Sequence, residues 1–327
     1  MRNYLSHRAA ALCVLSLCLT ACGSKAHSAG SDTADSTTTT TVATDTVGTN
    51  KLQMPDIPTM LTTPAERLNF LTRNYWTHYD FADTVGIKNP EYAEQAWVDY
   101  VDLLGRIPTA DASPIIRSFF GEAEGNPIVY NYFAGLADKY LYDPNSPLRN
   151  EELYIPVLDQ MLASNLPTGA EKIRAKDRRV MAEKNRPGRR AADFVYTVST
   201  GEKGTLYGLS AAYTLLFLNN PGCHACRETI EALKQSPVVG HYQQNGNLRI
   251  LAVYPDEDRS EWVHYLSEFP AEWVNGYDAA LAIQSKNLYD LKAIPTLYLL
   301  DKDKTVLLKD ATVPAIEQYL QTVAGRD

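Results

Sequence analysis

Cysteine is scarce in this chain of 327 residues: there are five, and three of them fall within the first 22 residues. The other two form a single C-x-x-C, Cys223 to Cys226. A disulfide-rich scaffold, which spreads an even set of cysteines along a short chain, is therefore excluded. A second C-x-x-C is also missing, so a four-cysteine zinc site is excluded as well.

Positive charge and long apolar runs are lacking too. Lys and Arg number 31 against 39 Asp and Glu, which argues against a nucleic-acid partner or a polybasic membrane patch. The most apolar stretch beyond the N-terminal segment, Leu209 to Leu218, has 10 residues and is too short to cross a bilayer. A hydrophobic fraction of 45% still excludes disorder throughout, and the length suits about two domains.

The N-terminus resembles a bacterial lipoprotein signal. Arg2 and Arg8 precede an apolar stretch at residues 9–19, and the sequence LTACG at residues 19–23 places small residues directly before a cysteine. We predict a signal peptide at residues 1–21 and a lipid anchor on Cys22. An ordinary secretory signal is the alternative. Either interpretation exports the protein to the cell envelope, and a lipidated form would face the periplasm, with the outer membrane slightly favoured over the inner.

Residues 22–50 are expected to form a disordered tether. Of the 28 residues after Cys22, 13 are Ser or Thr, and this segment contains no aromatic residue, leucine or isoleucine. Such a composition cannot bury a core.

Residues 51–187 have the apolar rhythm of helices and lack long strand patterns. The clearest start signal is a capping box, with Thr63 as N-cap, Pro64 at the first position and Glu66 at the third. After this first helix we predict five more, near residues 91–104, 113–122, 127–140, 151–163 and 169–184. The nine tyrosines and two tryptophans of this half suit a core, with a peptide-binding surface as the alternative. This half also resembles an uncharacterised helical domain found ahead of thioredoxin-like modules in lipoproteins of some Gram-negative anaerobes.

Residues 188–327 change to alternating strands and helices. Strands are predicted at residues 194–198, 205–209, 213–218, 248–254, 296–300 and 305–308, and helices after Cys223 and at residues 261–269, 279–285 and 313–323. A strand, a C-x-x-C helix, a strand, a helix, a hairpin and a helix follow in the order of a thioredoxin fold. The predicted fold class is thus an all-α domain followed by an α/β thioredoxin-like domain.

Three segments of this half resemble the TlpA/ResA-like thiol-disulfide oxidoreductases, which are membrane-tethered relatives of thioredoxin. The first is ADF at residues 192–194, and the second is LLFL at residues 215–218 followed by CHACRE at residues 223–228. The third runs from Tyr289 through Ile294-Pro295-Thr296 to Asp301. The resemblance implies that Pro295 is a cis-proline facing the cysteines, flanked by Ile294 and Thr296. It also favours a reductant of exported proteins, served by a membrane electron donor or acceptor, over an oxidant.

The spacing of the two cysteines suits dithiol chemistry. Thiols three residues apart at a helix N-terminus can close a disulfide, and the unpaired N–H groups of the first turn favour the thiolate of the first cysteine. Cys223 is therefore the predicted nucleophile, and Cys226 is predicted to resolve the mixed disulfide. No cofactor is required. A structural disulfide on an inactive thioredoxin fold remains the alternative, and with it a tethered binding module.

His224 lies between the two thiols. A metal site is disfavoured because His224 can hardly join both cysteines on one ion. A copper carrier similar to the Sco-like thioredoxin relatives would need a wider cysteine pair and a distant histidine, whereas the last histidine here, His264, precedes the proline motif. His224 is either a solvated loop residue or a group that raises the reduction potential.

The acidic residues of related proteins are displaced here. Many thioredoxins carry a buried acid where this chain has Phe217, and the ResA-like proteins carry Glu where it has Thr229. Glu228 is one position away, about 100° around the helix. The group that exchanges a proton with Cys226 is thus unassigned.

Overall fold

The computed structural model describes residues 51–325. The predicted signal peptide, Cys22 and the tether lie outside the described residues. In the first half of the described chain, the six predicted helices are confirmed. They are α1 (Pro64–Asn74), α2 (Ala93–Leu104), α3 (Thr109–Ala123), α4 (Pro127–Ala137), α5 (Glu151–Ala163) and α6 (Gly169–Ala182).

Local sequence explains where these helices begin. Thr63 accepts a hydrogen bond from the backbone of Glu66 while the Glu66 carboxylate accepts one from Thr63, which confirms the capping box of α1. The same box recurs at Thr168 and Glu171 at the start of α6. Asn150 caps α5 through the N–H of Leu153. Each cap satisfies N–H groups that the helix itself leaves unpaired.

The aromatic residues of the helical half form its core. Trp97 and Tyr100 are 1% exposed, and Trp76 contacts Phe119 and Phe133 with ring centroids 4.8 and 5.3 Å apart. Buried aromatic pairs with tilted or edge-to-face geometry stabilise a core beyond the area that they bury. The core interpretation of these residues is confirmed.

The second half contains a seven-stranded sheet with five further helices among the described residues. The strands are β1 (Val195–Val198), β2 (Lys203–Thr205), β3 (Tyr213–Leu218), β4 (Leu248–Tyr254), β5 (Val274–Tyr277), β6 (Thr296–Leu300) and β7 (Val306–Leu308). The helices are α7 (His224–Gln235), α8 (Pro237–Gln244), α9 (Arg259–His264), α10 (Ala282–Ser285) and α11 (Val313–Ala324).

The strand order is β2-β1-β5-β4-β3-β6-β7. β3 pairs in parallel with β4 and antiparallel with β6, so β3 is central and its apolar run is buried on both faces. Helices α7, α8 and α11 cover one face. The other face is covered by α10 and by residues 191–194 and 206–209, which flank β1 and β2. The C-terminal end of β3 therefore points toward the C-x-x-C segment, beside the start of β6.

The structure departs from the sequence prediction in three places. Helix α8 and strand β5 were not predicted, because Gly240 interrupts the helical pattern and the short β5 contains Asn275 and Gly276. The strand expected at residues 205–209 is instead β2, which ends at Thr205. The chain then turns, with Gly208 donating to the carbonyl of Thr205, and buries Leu206 and Leu209.

The first residues of the second half pair with the edge of the sheet. Gly188 donates a backbone hydrogen bond to Val306, Val306 donates one to Arg189, and Ala191 donates one to Lys304. The segment after α6 therefore runs along β7. Among the described helices, none is both long enough and apolar enough to span a membrane.

Candidate active site

Cys223 is the N-cap of α7. Its Sγ accepts a hydrogen bond from the backbone N–H of Cys226 at 3.3 Å. The sequence directs this arrangement, because Gly222 has a φ of 69°, a value that suits glycine, and lets the chain turn from β3 into the helix. The first sulfur thus lies where the helix presents its unpaired donors.

The proline motif faces this sulfur. The Ile294–Pro295 peptide bond is cis, as the resemblance implies, and the thiol of Cys223 donates to the carbonyl oxygen of Ile294 at 3.8 Å. Thr296 is buried and its hydroxyl donates to the carbonyl of Ala293, which closes the loop on itself. Within residues 51–325, neither backbone group of Ile294 takes part in a backbone–backbone hydrogen bond. An extended peptide could therefore pair there.

Cys226 lies behind Cys223 and is 2% exposed. Burial in apolar surroundings raises the pKa of its thiol to about 12, and the neighbouring Cys223 adds to the effect. Cys226 belongs to a buried apolar cluster that also contains Phe217 and Trp273, and the partly buried Phe269 packs against this cluster. In the described part of the chain, neither sulfur has a carboxyl group as a hydrogen-bond partner. The proton acceptor of Cys226 stays unassigned.

His224 points away from the sulfurs. Its Nε2 lies 3.2 Å from Glu228 Oε1 one turn along α7, and both side chains are largely exposed, at 79% and 67%. Thr229 donates its hydroxyl to the carbonyl of Ala225. Neither Glu228 nor Thr229 thus stands in for the acid of related proteins. Among residues 51–325, no group of three or more His, Cys, Asp or Glu side chains has the geometry of a metal site.

The structure brings together four residues that the sequence singled out, Cys223, Cys226, Ile294 and Pro295. Sequence reasoning missed Phe269 and Trp273, which contribute to the apolar cluster that contains Cys226. It had no signal for them, because β5 was not predicted and no local spacing connects this segment with the cysteines.

Comparisons with known proteins agree with this architecture. The profile of a domain of unknown function, DUF5106, matches residues 21–185, and the profile of a thioredoxin-like family matches residues 211–306. A search among curated proteins found no match. These profile matches correspond to the helical half and to the sheet that carries the C-x-x-C.

Solved structures extend the likeness. A thioredoxin-like protein from Bacteroides caccae is 52% identical, with a TM-score of 0.80, and the match covers 83% of this chain and 98% of the relative. The C-terminal domain of an uncharacterized protein from Bacteroides fragilis is 59% identical, with a TM-score of 0.42, over 42% of this chain and 98% of that one. The thioredoxin domain of a thiol-disulfide oxidoreductase from Bacteroides vulgatus is 16% identical, with a TM-score of 0.38, over 42% and 97%.

A match over 83% of the chain is too long to fit within either half, so the Bacteroides caccae relative shares both. The chain therefore belongs to the thioredoxin-like proteins in which a DUF5106 domain precedes the thioredoxin-like domain.

Proposed function

We propose that the protein is a membrane-tethered thiol-disulfide oxidoreductase that reduces disulfides of exported proteins. The observation that carries this proposal is the position of the Cys223 sulfur, 3.3 Å from the N–H of Cys226 and 3.8 Å from the carbonyl of Ile294. The contact with Cys226 stabilises negative charge on the sulfur. The contact with Ile294 places the sulfur beside a backbone segment that makes no backbone–backbone hydrogen bond within residues 51–325, where an extended substrate could pair.

The reaction starts from two reduced thiols. The Cys223 thiolate attacks one sulfur of a substrate disulfide, so a mixed disulfide forms and the other substrate sulfur leaves and takes up a proton. Cys226 then loses its proton and attacks Cys223, which releases the second substrate sulfur as a thiol. Two electrons and two protons pass to the substrate, and the protein is left with a Cys223–Cys226 disulfide.

The different burial of the two cysteines suits this order of events. Cys223 is partly exposed and can meet a substrate, whereas Cys226 is enclosed and protonated at neutral pH because its pKa is raised to about 12. The buried thiol is thereby kept from reacting before the mixed disulfide forms. A dithiol donor in the membrane, reached from the Cys22 anchor, would restore the reduced state.

A redox titration of the purified full-length protein tests the proposal. A catalytic disulfide should have a reduction potential above about −300 mV, and a structural disulfide one below it. The same preparation should reduce a peptide disulfide, and the Cys223→Ser variant should not. A potential below that limit together with no turnover would instead favour a tethered binding module.

A further inference from the structure

The segment that leads into the proline motif, Ile294 to Thr296, is bound to the helical half. The side-chain amide of Asn185 donates to the carbonyl of Leu288 at 2.8 Å, and the ammonium group of Lys184 contacts the carbonyl of Asn287. A third contact lies closer to the loop, where Lys292 Nζ is 2.6 Å from Glu151 Oε1. Residues 287–292 are therefore attached to α5 and to the end of the helical half.

The contact between Glu151 and Lys292 is almost completely buried. The two side chains are 7% and 13% exposed, and Lys309 lies 2.6 Å from the second oxygen of Glu151. Lys292 also contacts Asp290 at 2.8 Å, and its ammonium group lies 4.4 Å from the centre of the Tyr142 ring. The helical half thus supplies both a carboxylate and an aromatic face to one lysine of the other half.

Both partners remain charged in this place. Burial alone raises the pKa of Glu151, but Lys309 and Lys292 outweigh it and the pKa lies below its ordinary value. Burial likewise lowers the pKa of Lys292, but Glu151 and Asp290 more than compensate. Glu151 is also the first residue of α5, where the helix N-terminus favours a negative charge.

This pair lies two residues from the substrate-binding groups. Lys292 is followed by Ala293 and Ile294, and two residues span at most about 7 Å. The backbone of Ile294 therefore cannot lie far from the backbone of Lys292. The carbonyl of Ile294 faces Cys223 at 3.8 Å. A shift of Lys292 is therefore passed on to Ile294.

We propose that Glu151 is a positioning residue for disulfide exchange. By holding Lys292, it fixes the Ile294 backbone beside Cys223, so that the helical domain completes the surface on which a peptide substrate pairs. This inference rests on the proposed function. If it is correct, loss of Glu151 slows disulfide exchange with a substrate that pairs with the Ile294 backbone. Exchange with a substrate that contacts only the Cys223 sulfur keeps its rate.

The test compares two substrates of the purified full-length protein: an extended peptide disulfide, and 5,5′-dithiobis(2-nitrobenzoate), which is too small to pair along the loop. In single-turnover reactions of the reduced protein, which need no second reductant, we expect the apparent second-order rate constant of Glu151→Gln for the peptide to fall about tenfold, chiefly through a higher half-saturating peptide concentration. A tenfold change corresponds to about 1.4 kcal/mol. The rate with the small disulfide should stay within about twofold, because this substrate needs only the Cys223 sulfur and not the Ile294 backbone.

Three further variants make the result specific. Lys292→Met should reproduce the effect, and the double variant should be no worse than either single one, since both remove the same contact. Glu94→Gln, which breaks a pair with Lys139 within the helical half, is the matched control.

Equal losses with both substrates, or an unchanged peptide rate in Glu151→Gln and Lys292→Met, would overturn the positioning role while leaving the proposed function intact. If Glu151→Gln does not fold, Lys292→Met decides alone. A wild-type protein that reduces neither substrate would overturn both proposals.

Discussion

The backbone N–H of Cys226 donates a hydrogen bond to the sulfur of Cys223 across 3.3 Å, while the Cys226 side chain is buried behind it. One residue therefore has two roles in the site. The backbone N–H of Cys226 stabilises negative charge on the Cys223 sulfur, and the Cys226 side chain is the protonated thiol that attacks in the second step. The sequence predicts Cys223 as the nucleophile from its place at the helix N-terminus, and the burial of Cys226 adds a second difference between the two thiols.

This difference predicts unequal alkylation. In the reduced protein at pH 7, iodoacetamide should modify Cys223 and leave Cys226 almost unmodified, because burial raises the pKa of the Cys226 thiol and keeps it protonated at that pH. Modification of Cys226 should rise as the pH is raised, because more of its thiol is then ionised. Peptide mass spectrometry measures both rates. Equal rates at pH 7 would contradict the assignment of Cys223 as the nucleophile.

The Cys226→Ser variant should accumulate mixed disulfides. With Cys22 lipidated, this substitution leaves Cys223 as the one free thiol of the mature chain, so the first attack proceeds and the resolving attack cannot. Expressed in its native envelope, the variant should form adducts on non-reducing gels that disappear with dithiothreitol.

The Cys223→Ser/Cys226→Ser double variant is the control and should form none. Mass spectrometry of the adducts would identify the substrates. A single variant without adducts, in an experiment where a known oxidoreductase is trapped, would favour the binding-module alternative.

Replacement of Cys22 should abolish lipidation. The Cys22→Ala variant lacks the thiol that accepts the acyl group, so it should not incorporate labelled palmitate and should not be processed normally. Cys18→Ala is the matched control, because it removes a nearby cysteine outside the predicted cleavage site and should still be labelled. Labelling of Cys22→Ala at the wild-type level would show that the signal was interpreted wrongly.

Arg149 and Asp310 form a buried ion pair between the halves, with side chains 15% and 9% exposed. Arg149→Ala should destabilise the protein by about 3 kcal/mol at pH 7, because the Asp310 carboxylate then loses its counter-charge. In urea unfolding, Arg149→Ala/Asp310→Asn should recover most of this loss. Arg106→Ala, which breaks an exposed pair with Asp102, should cost less than about 1 kcal/mol.

The loss in Arg149→Ala should also depend on pH. Burial raises the pKa of Asp310 even in the wild type, and Arg149 opposes that shift, so the variant should have a still higher pKa. A carboxyl group whose pKa is raised in the folded state lowers the free energy of unfolding at pH values above that pKa. This loss of stability disappears as the pH falls through the folded-state pKa, because the carboxyl is then protonated. The difference from wild type should therefore shrink between pH 7 and pH 4.5. A constant difference would indicate that packing rather than charge causes the loss.

The sequence by itself determined the elements whose signals are local. The capping box at Thr63 and the apolar run at residues 213–218 were predictable, because a cap depends on residues three apart and a central strand on a short uninterrupted run. The start of α7 at the C-x-x-C was predictable for the same reason. The sequence missed β5 because Gly276 and Asn275 are poor strand formers, and the neighbouring β4 stabilises them there.

Tertiary structure alone decided how the site is assembled. Ile294 meets Cys223 across 71 residues of sequence, and Glu151 meets Lys292 across 141. Such contacts produce no periodic pattern in the amino-acid sequence. They depend on how the ends of β3 and β6 and the start of α5 come together in the folded protein. The same holds for the raised pKa of Cys226, since only the packed apolar core removes that thiol from water.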